Sequence, residues 1–103
     1  MKTVEQILSI IEERDKPQNT FKDICHELMT TYSMKNSDYG DSFGKTFDEY
    51  GLVSAVVRIA DKYNRISQLA KSERKVDESI EDTLLDLAGY CIMTVMELRK
   101  EHK

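Results

Sequence analysis

The sequence predicts an all-α domain, and three observations support this prediction. Apolar residues recur at three- and four-residue spacing along most of the chain, which is the periodicity of amphipathic helices. No stretch of useful length alternates apolar and polar residues as a half-buried strand would. With 103 residues, the chain has the length of one domain, and we assign residues 1–103 to it.

Two helices are predicted in the N-terminal third. The first covers residues 3–15, with Thr3 as its N-cap, because a threonine oxygen there can accept a hydrogen bond from an unpaired backbone N–H. The second covers residues 20–34, with Asn19 or Thr20 as its cap.

Two longer helices are predicted in the C-terminal half. One begins between Thr46 and Gly51 and continues to about residue 72. The other begins after Asp77, its expected cap, and ends near Lys100. The second is apolar on most sides, which is typical of a central helix with several neighbours. The predicted buried stripe of the first consists of Leu52, Val56, Ile59, Tyr63, Ile66 and Ala70.

Residues 35–45 have the composition of a loop, with two glycines and several Asn, Asp and Ser residues. Such a loop could recognise a nucleobase by stacking and edge contacts, and Lys35 or Lys45 could reach a phosphate. The alternative is that Tyr39 and Phe43 only anchor the loop to the helices. The candidates for base binding are Asn36, Asp38 and Tyr39.

Composition excludes several classes of protein. The formal net charge is −4, so the basic face that binds duplex nucleic acid is not expected. The start of the chain lacks an apolar signal core, and no apolar stretch is long enough to cross a bilayer, so we expect a cytoplasmic protein. Cys25 and Cys91 lie in apolar patterns and are predicted to be buried free thiols.

The last helix carries an acidic ridge, formed by Glu78, Asp82 and Asp86 at i, i+4 and i+8. Like charges at this spacing repel each other. The helix dipole offsets the repulsion for the first two residues, which lie near the helix start. It does not do so for Asp86, which lies among leucines and is therefore expected to be either ion-paired or a ligand.

The polar side of the third helix offers partners for this ridge, namely Arg58, Asp61, Lys62 and Arg65. One interpretation is a solvated face with local ion pairs. The other packs this face against the ridge, so that carboxylates hold Mg²⁺ and the cations hold phosphates, since magnesium commonly bridges carboxylates and substrate phosphates. The predicted metal ligands are Asp61, Glu78, Asp82 and Asp86; the predicted phosphate ligands are Arg58, Lys62 and Arg65.

Several segments resemble the nucleotide-modification-associated domain, a family found largely in phages. Across roughly residues 32–98, they are Asp38-Tyr39-Gly40, Gly51-Leu52, Arg58 to Lys62 with Arg65, and Glu78 to Tyr90. This family in turn resembles the all-α MazG-like and dimeric dUTPase-like pyrophosphohydrolases. The resemblance leaves residues 1–31 less covered.

The resemblance implies an antiparallel bundle of about four helices, a homodimer or homotetramer, and Mg²⁺ between two helices. It also implies hydrolysis of an NTP or dNTP to a monophosphate and pyrophosphate, with Glu78 as the candidate residue that positions water. MazG-like enzymes carry two acidic pairs, whereas Thr83 replaces one acid here and no second acid follows Asp61 on its face.

Two alternatives therefore remain open. The first is a nucleotide-binding protein that does not hydrolyse its ligand, such as a phage protein that sequesters a nucleotide defence signal in the host cytoplasm. The second is a structural or interaction protein whose acidic ridge is merely solvated.

Overall fold

The computed structural model describes residues 2–8, 19–71 and 78–101, and these residues confirm the all-α prediction because they contain helices and no strand. Residues 4–8 are helical. The helices that follow are α1 (Phe21–Tyr39), α2 (Ser42–Tyr50), α3 (Leu52–Lys71) and α4 (Glu78–Glu101). None of them is long and apolar enough to cross a membrane. The end of the first predicted helix, Asp77 and the polar turn before it lie outside the described residues.

Thr3 is confirmed as an N-cap, and of the two candidates Asn19 and Thr20, the structure shows Thr20 as the cap of the second helix. The Gln6 N–H donates to the Thr3 hydroxyl at 3.2 Å, and the Asp23 N–H donates to the Thr20 hydroxyl at 3.2 Å. The Asp23 carboxylate in turn accepts from the Thr20 N–H, which completes a capping box at the start of α1. The hydrogen bond from the Thr20 side chain lowers the pKa of Asp23.

The predicted loop at residues 35–45 is wrong. Helix α1 continues to Tyr39, and α2 begins at Ser42, so Gly40 and Asp41 alone separate the two helices. Gly40 has φ 67° and ψ −168°, a backbone conformation that side chains disfavour. A second such glycine, Gly51 at φ 77°, separates α2 from α3.

Helices α3 and α4 pack against each other most extensively. They run antiparallel, because Arg58 contacts Tyr90 while Lys62, further along α3, reaches back to Asp86. Helix α2 packs on both of them, and α1 packs on α4. The buried core consists of Phe43, Phe47 and Ala55, with Tyr90, Met93 and Leu98 packed around it.

The predicted buried stripe of α3 is partly wrong. Leu52, Val56 and Tyr63 are exposed in the single chain, at 47%, 52% and 62%. Ala55 is fully buried instead, so the face toward α4 is rotated from the predicted one. The cysteines are free, as predicted, but both Cys25 and Cys91 are exposed rather than buried.

Candidate functional site

A cavity of about 230 Å³ lies between α1, the start of α2, and the middle of α3 and α4. This volume is slightly below the roughly 300–1,000 Å³ typical of small-molecule sites, and the cavity is partly open to solvent, so part of a bound small molecule would remain exposed. Its lining combines aromatic rings with charged groups. The charged residues of the lining are Lys35, Asp41, Arg58 and Asp86, and the aromatic residues are Tyr32, Tyr39, Phe43 and Tyr90.

Asp86 joins two lysines from different helices. Its carboxylate oxygens lie 3.7 Å from Lys35 Nζ of α1 and 3.3 Å from Lys62 Nζ of α3. The side chain of Lys62 is only 20% exposed, whereas that of Lys35 is 63% exposed. The sequence expectation that Asp86 is either paired or a ligand is thus met by pairing. At this point Lys62, of the polar face of α3, contacts Asp86, of the acidic ridge.

Arg58 lies over two aromatic rings at the base of the cavity. Its guanidinium carbon is 5.4 Å from the centroid of the Phe43 ring and 5.8 Å from that of Tyr90. The two rings stack on each other at 5.9 Å, with 22° between their planes. Cation–π attraction of this kind fixes a guanidinium without neutralising it. No ion pair or hydrogen bond joins Arg58 to another residue in the described ranges.

The start of α2 borders the same cavity. The Gly44 N–H donates to the Asp41 carboxylate at 3.0 Å, so Asp41 caps this helix. Gly44 is buried, and a Cβ at this position would overlap the Asp41 carboxylate. The glycine therefore leaves the space that the Asp41 carboxylate occupies over the first turn of α2.

The predicted metal ligands are only partly brought together. Asp61 and Asp82 are exposed, and neither forms an ion pair with any described residue. Among the residues that the structure describes, no group of three His, Cys, Asp or Glu side chains could hold one metal ion. Asp86 lies at the cavity, but lysines occupy its oxygens. The side chain of Glu78, the proposed fourth ligand and water-positioning base, lies outside the described part.

Some of the predicted phosphate and base ligands line the cavity, and others do not. Arg58 lines the cavity. Lys62 does not line it but pairs with Asp86, which does. Arg65 is exposed and does not line it. Of the base candidates, Asn36 and Tyr39 line the cavity and Asp38 does not.

Sequence reasoning missed the α4 side of the cavity. Gly89, Tyr90 and Met93 follow Asp86 at three, four and seven residues, which places all of them on one helix face. This spacing was the available signal. Phe43 is buried in the core, as the anchoring alternative predicted for it, whereas Tyr39 is exposed. The position of Phe43 beneath Arg58 had no sequence signal, because the contact joins α2 to α3.

A family model matches the part of the chain that forms most of the cavity. The model of the nucleotide modification associated domain 1 family matches residues 35–98, a segment that includes most of the cavity lining. Comparisons with curated proteins and with solved structures found no match. Because the matched segment is well over half of the chain, the protein belongs to the nucleotide modification associated domain 1 family.

Proposed function

We propose that the protein binds a nucleotide in this cavity, with the phosphates held by Lys35, Arg58 and Lys62. The observation that carries the proposal is Arg58. It is a half-buried cation that two aromatic rings hold at the base of the cavity, and no described carboxylate neutralises it. Such a cation favours an anion beside it, because removing a charge from water without a partner is costly.

The charge balance around the cavity also supports an anionic ligand. Lys35, Arg58 and Lys62 supply three positive charges, against Asp86 and Asp41. Both carboxylates keep their charge, Asp41 as a helix cap and Asp86 between two lysines, so these five groups have a net formal charge of +1. The chain as a whole carries −4, which makes this patch an exception on an acidic protein. A phosphate group would compete with Asp86 for its two lysines.

The aromatic residues supply the second half of the proposal, a site for the base. Tyr39 is 75% exposed at the rim, where its ring is free to stack on a planar ligand. Asn36, one turn earlier on α1, places an amide donor and acceptor at the same rim. Membership of a family described by nucleotide modification points to the same class of ligand.

Magnesium-dependent hydrolysis of an NTP or dNTP to a monophosphate and pyrophosphate is the second candidate. The observation in its favour is that Asp86 borders the cavity, with Asp82 one turn before it on the same side of α4. The resemblance to MazG-like pyrophosphohydrolases supports it too. The described acids do not assemble a metal site by themselves, so Glu78 and Asp61 would have to join them.

A thermal-shift screen tests the binding proposal directly. A ligand that binds only the folded protein raises its melting temperature, by an amount that grows with concentration. We expect nucleotides to raise it, with and without Mg²⁺, and the matching nucleosides to raise it much less. Inorganic phosphate and pyrophosphate serve as probes of the cation cluster alone. No shift with any nucleotide would refute the proposal.

Two matched arginine variants locate the site. Arg58→Gln should weaken nucleotide binding about tenfold or more, since a charge-assisted hydrogen bond is lost. Arg65→Gln removes the same charge from the same helix, seven residues later, but outside the cavity lining. It should leave the affinity within about twofold. Equal losses in both variants would mean that the effect is general electrostatics and not a site.

Recovery of the ligand separates binding from hydrolysis. The protein is incubated with the tightest-binding nucleotide and Mg²⁺, then denatured, and the released nucleotide is analysed. Intact nucleotide at stoichiometric amounts supports binding alone. Monophosphate and pyrophosphate in excess of the protein support the second candidate, and that activity should then be lost in Asp86→Asn.

A further inference from the structure

Helix α1 forms one wall of the cavity, but the rest of the described chain covers little of it. Its lining residues are Leu28, Thr31, Tyr32, Lys35, Asn36 and Tyr39. No residue of this helix is buried, and of the six only Leu28 and Tyr32 are half-buried. Helix α4 is its main neighbour among the described helices. Because most helical stability in proteins comes from packing, α1 is less stabilised than α3 or α4, which pack along each other.

The last two turns of α1 are the least attached part of this wall. We call residues 33–39 the lid segment, and all of its side chains are exposed, with Met34 at 62%. In the described part of the chain, these side chains form one ion pair and no hydrogen bond with other helices. The ion pair joins Lys35 Nζ to Asp86 at 3.7 Å, and such an exposed pair adds little to stability.

The amino acids of the lid segment also disfavour a helix. Serine, asparagine and aspartate side chains compete with the helix for backbone hydrogen bonds. In the lid segment these residues are Ser33, Asn36, Ser37 and Asp38. Asp38 lies in the last turn, near the negative end of the helix dipole, and no basic residue in that turn offsets its charge.

The end of α1 lacks the closing hydrogen bond that α2 has. After α2, the Gly51 N–H donates to the Phe47 carbonyl at 2.7 Å. The Gly40 N–H makes no such backbone hydrogen bond within the described residues. The last carbonyl groups of a helix have no partner inside it, so α1 leaves more of them to water than α2 does. The free energy needed to open the lid segment is therefore small.

The same segment carries groups that we assign to nucleotide binding. Lys35, Asn36 and Tyr39 fall at i, i+1 and i+4, so a helix places them together on the cavity side, and an unwound chain does not. A nucleotide whose phosphate contacts Lys35 and Arg58, and whose base stacks on Tyr39, would join the lid segment to α3.

We propose that the lid segment opens by unwinding in the free protein and closes over a bound nucleotide, and that the helix described above is its closed form. The inference rests on the proposed function. A ligand that contacts these residues only when they are helical shifts the equilibrium toward the helix. The apparent affinity is then the affinity of the closed form multiplied by the fraction of molecules in which the lid is closed.

Alanine and glycine at Ser37 test this coupling. Ser37 is exposed and does not line the cavity, so the two variants differ in how strongly they favour the helix and not in ligand contacts. In calorimetric titrations, Ser37→Ala should bind a nucleotide about four- to fivefold more tightly than Ser37→Gly. Asn64→Ala and Asn64→Gly are the matched controls, because Asn64 is exposed on α3 and also lies outside the cavity lining. That pair should bind with equal affinity.

Hydrogen exchange of the full chain, followed by mass spectrometry, measures the opening itself. In the free protein, the amides of residues 33–39 should exchange roughly tenfold faster, or more, than those in the middle of α3. A saturating nucleotide should slow them by a similar factor. It should change the start of α1 much less, since the capping box at Thr20 already holds that end.

The two measurements separate failure of the lid from failure of the proposed function. The lid is overturned if residues 33–39 are as protected as α3 in the free protein, if a bound nucleotide does not slow their exchange, or if both Ser37 variants bind equally. In each of these cases a nucleotide still binds, so the proposed function stands. If no nucleotide binds in the titrations, the proposed function fails and the lid fails with it.

Discussion

Asp86 pairs with lysines from two helices at the cavity. The direction in which ligand affinity changes when its charge is removed therefore distinguishes the two candidate functions. We predict that Asp86→Asn raises the affinity for a nucleotide in the absence of Mg²⁺. An exposed ion pair is worth about 0.2–1 kcal/mol, so freeing each lysine should strengthen binding by a factor of about 1.4 to 5. Calorimetric titration of one nucleotide into both proteins measures the difference.

The control is Asp82→Asn, which removes an exposed carboxylate one turn away that has no ion pair in the described chain. It should change the affinity much less. A loss of affinity in Asp86→Asn, together with the loss of any stabilisation by Mg²⁺, would instead favour the metal-dependent candidate.

Lys100 gives a prediction for the alkaline range. Its Nζ donates to the Glu97 carboxylate at 2.8 Å, and this hydrogen bond raises the pKa of Lys100. A raised lysine pKa stabilises the fold below the ordinary lysine pKa, and the contribution is lost as pH rises through the raised value. Glu97 is 5% exposed, so Lys100→Met leaves a buried carboxylate without its partner.

We therefore predict that Lys100→Met lowers the free energy of unfolding at neutral pH, and that the difference from wild type shrinks at strongly alkaline pH. Urea unfolding at several pH values measures it. Lys45→Met, at an exposed lysine with no ion pair among the described residues, should show neither effect. A difference that grows toward alkaline pH would contradict the assignment.

At the scale of single residues, the sequence identified Asp86 but not the residues of other helices that surround the cavity. The isolation of Asp86 among leucines predicted that it is either ion-paired or a ligand, and Lys62 was among the cations proposed for that face. Lys35 belongs to α1 and pairs with Asp86, and Phe43 belongs to α2 and lies beneath Arg58. Neither position follows from periodicity, because both depend on how separate helices pack.

The break between α1 and α2 depends on one glycine, since Gly40 has φ 67° and ψ −168°. We predict that Gly40→Ala costs about 1–3 kcal/mol, because this region is essentially restricted to glycine. Gly89→Ala makes the same chemical change within α4, where a Cβ would lie 3.6 Å from Leu28 Cδ1, an ordinary contact. It should be neutral or stabilise by up to about 1 kcal/mol.

Thermal or urea unfolding of the two alanine variants gives this comparison. Equal destabilisation would show that the strain at Gly40 is not what matters. Gly89 also lines the cavity, so Gly89→Ala should reduce its volume and weaken ligand binding while it leaves the fold intact.

At the scale of elements, the helices were predictable where apolar periodicity was strong, and the caps at Thr3 and Thr20 were correct. The helical structure of residues 35–39 was not predictable, because Asn, Ser and Asp favour loops when only local propensity is considered. In the structure, Tyr32, Lys35, Asn36 and Tyr39 follow helical spacing along the cavity. Lys35 of this segment pairs with Asp86 of α4, a tertiary contact that local propensity does not take into account.

The part of the chain that the structure describes has little buried core of its own. Only Phe43, Phe47 and Ala55 are buried apolar residues among those described, whereas many large apolar side chains are exposed. The Cα radius of gyration is 18.3 Å, compared with about 13 Å for a compact chain of this length. Burial of apolar surface is the main stabilising term in folding, so association is expected to supply part of the stability.

This argument predicts that the melting temperature depends on protein concentration. When only the associated chain is fully stable, mass action raises the apparent stability by about 1.4 kcal/mol for each tenfold rise in concentration above the dissociation constant. For a domain of this size, that corresponds to an increase of several degrees. Scanning calorimetry from about 5 to 500 µM measures the shift, and Met34→Gln should follow the wild-type dependence. Ile92→Gln replaces an exposed apolar side chain of α4 and should raise the dissociation constant. The rise in melting temperature should then begin at a higher protein concentration than in the wild type. A melting temperature that is independent of concentration over this range would mean that a single chain is stable without a partner.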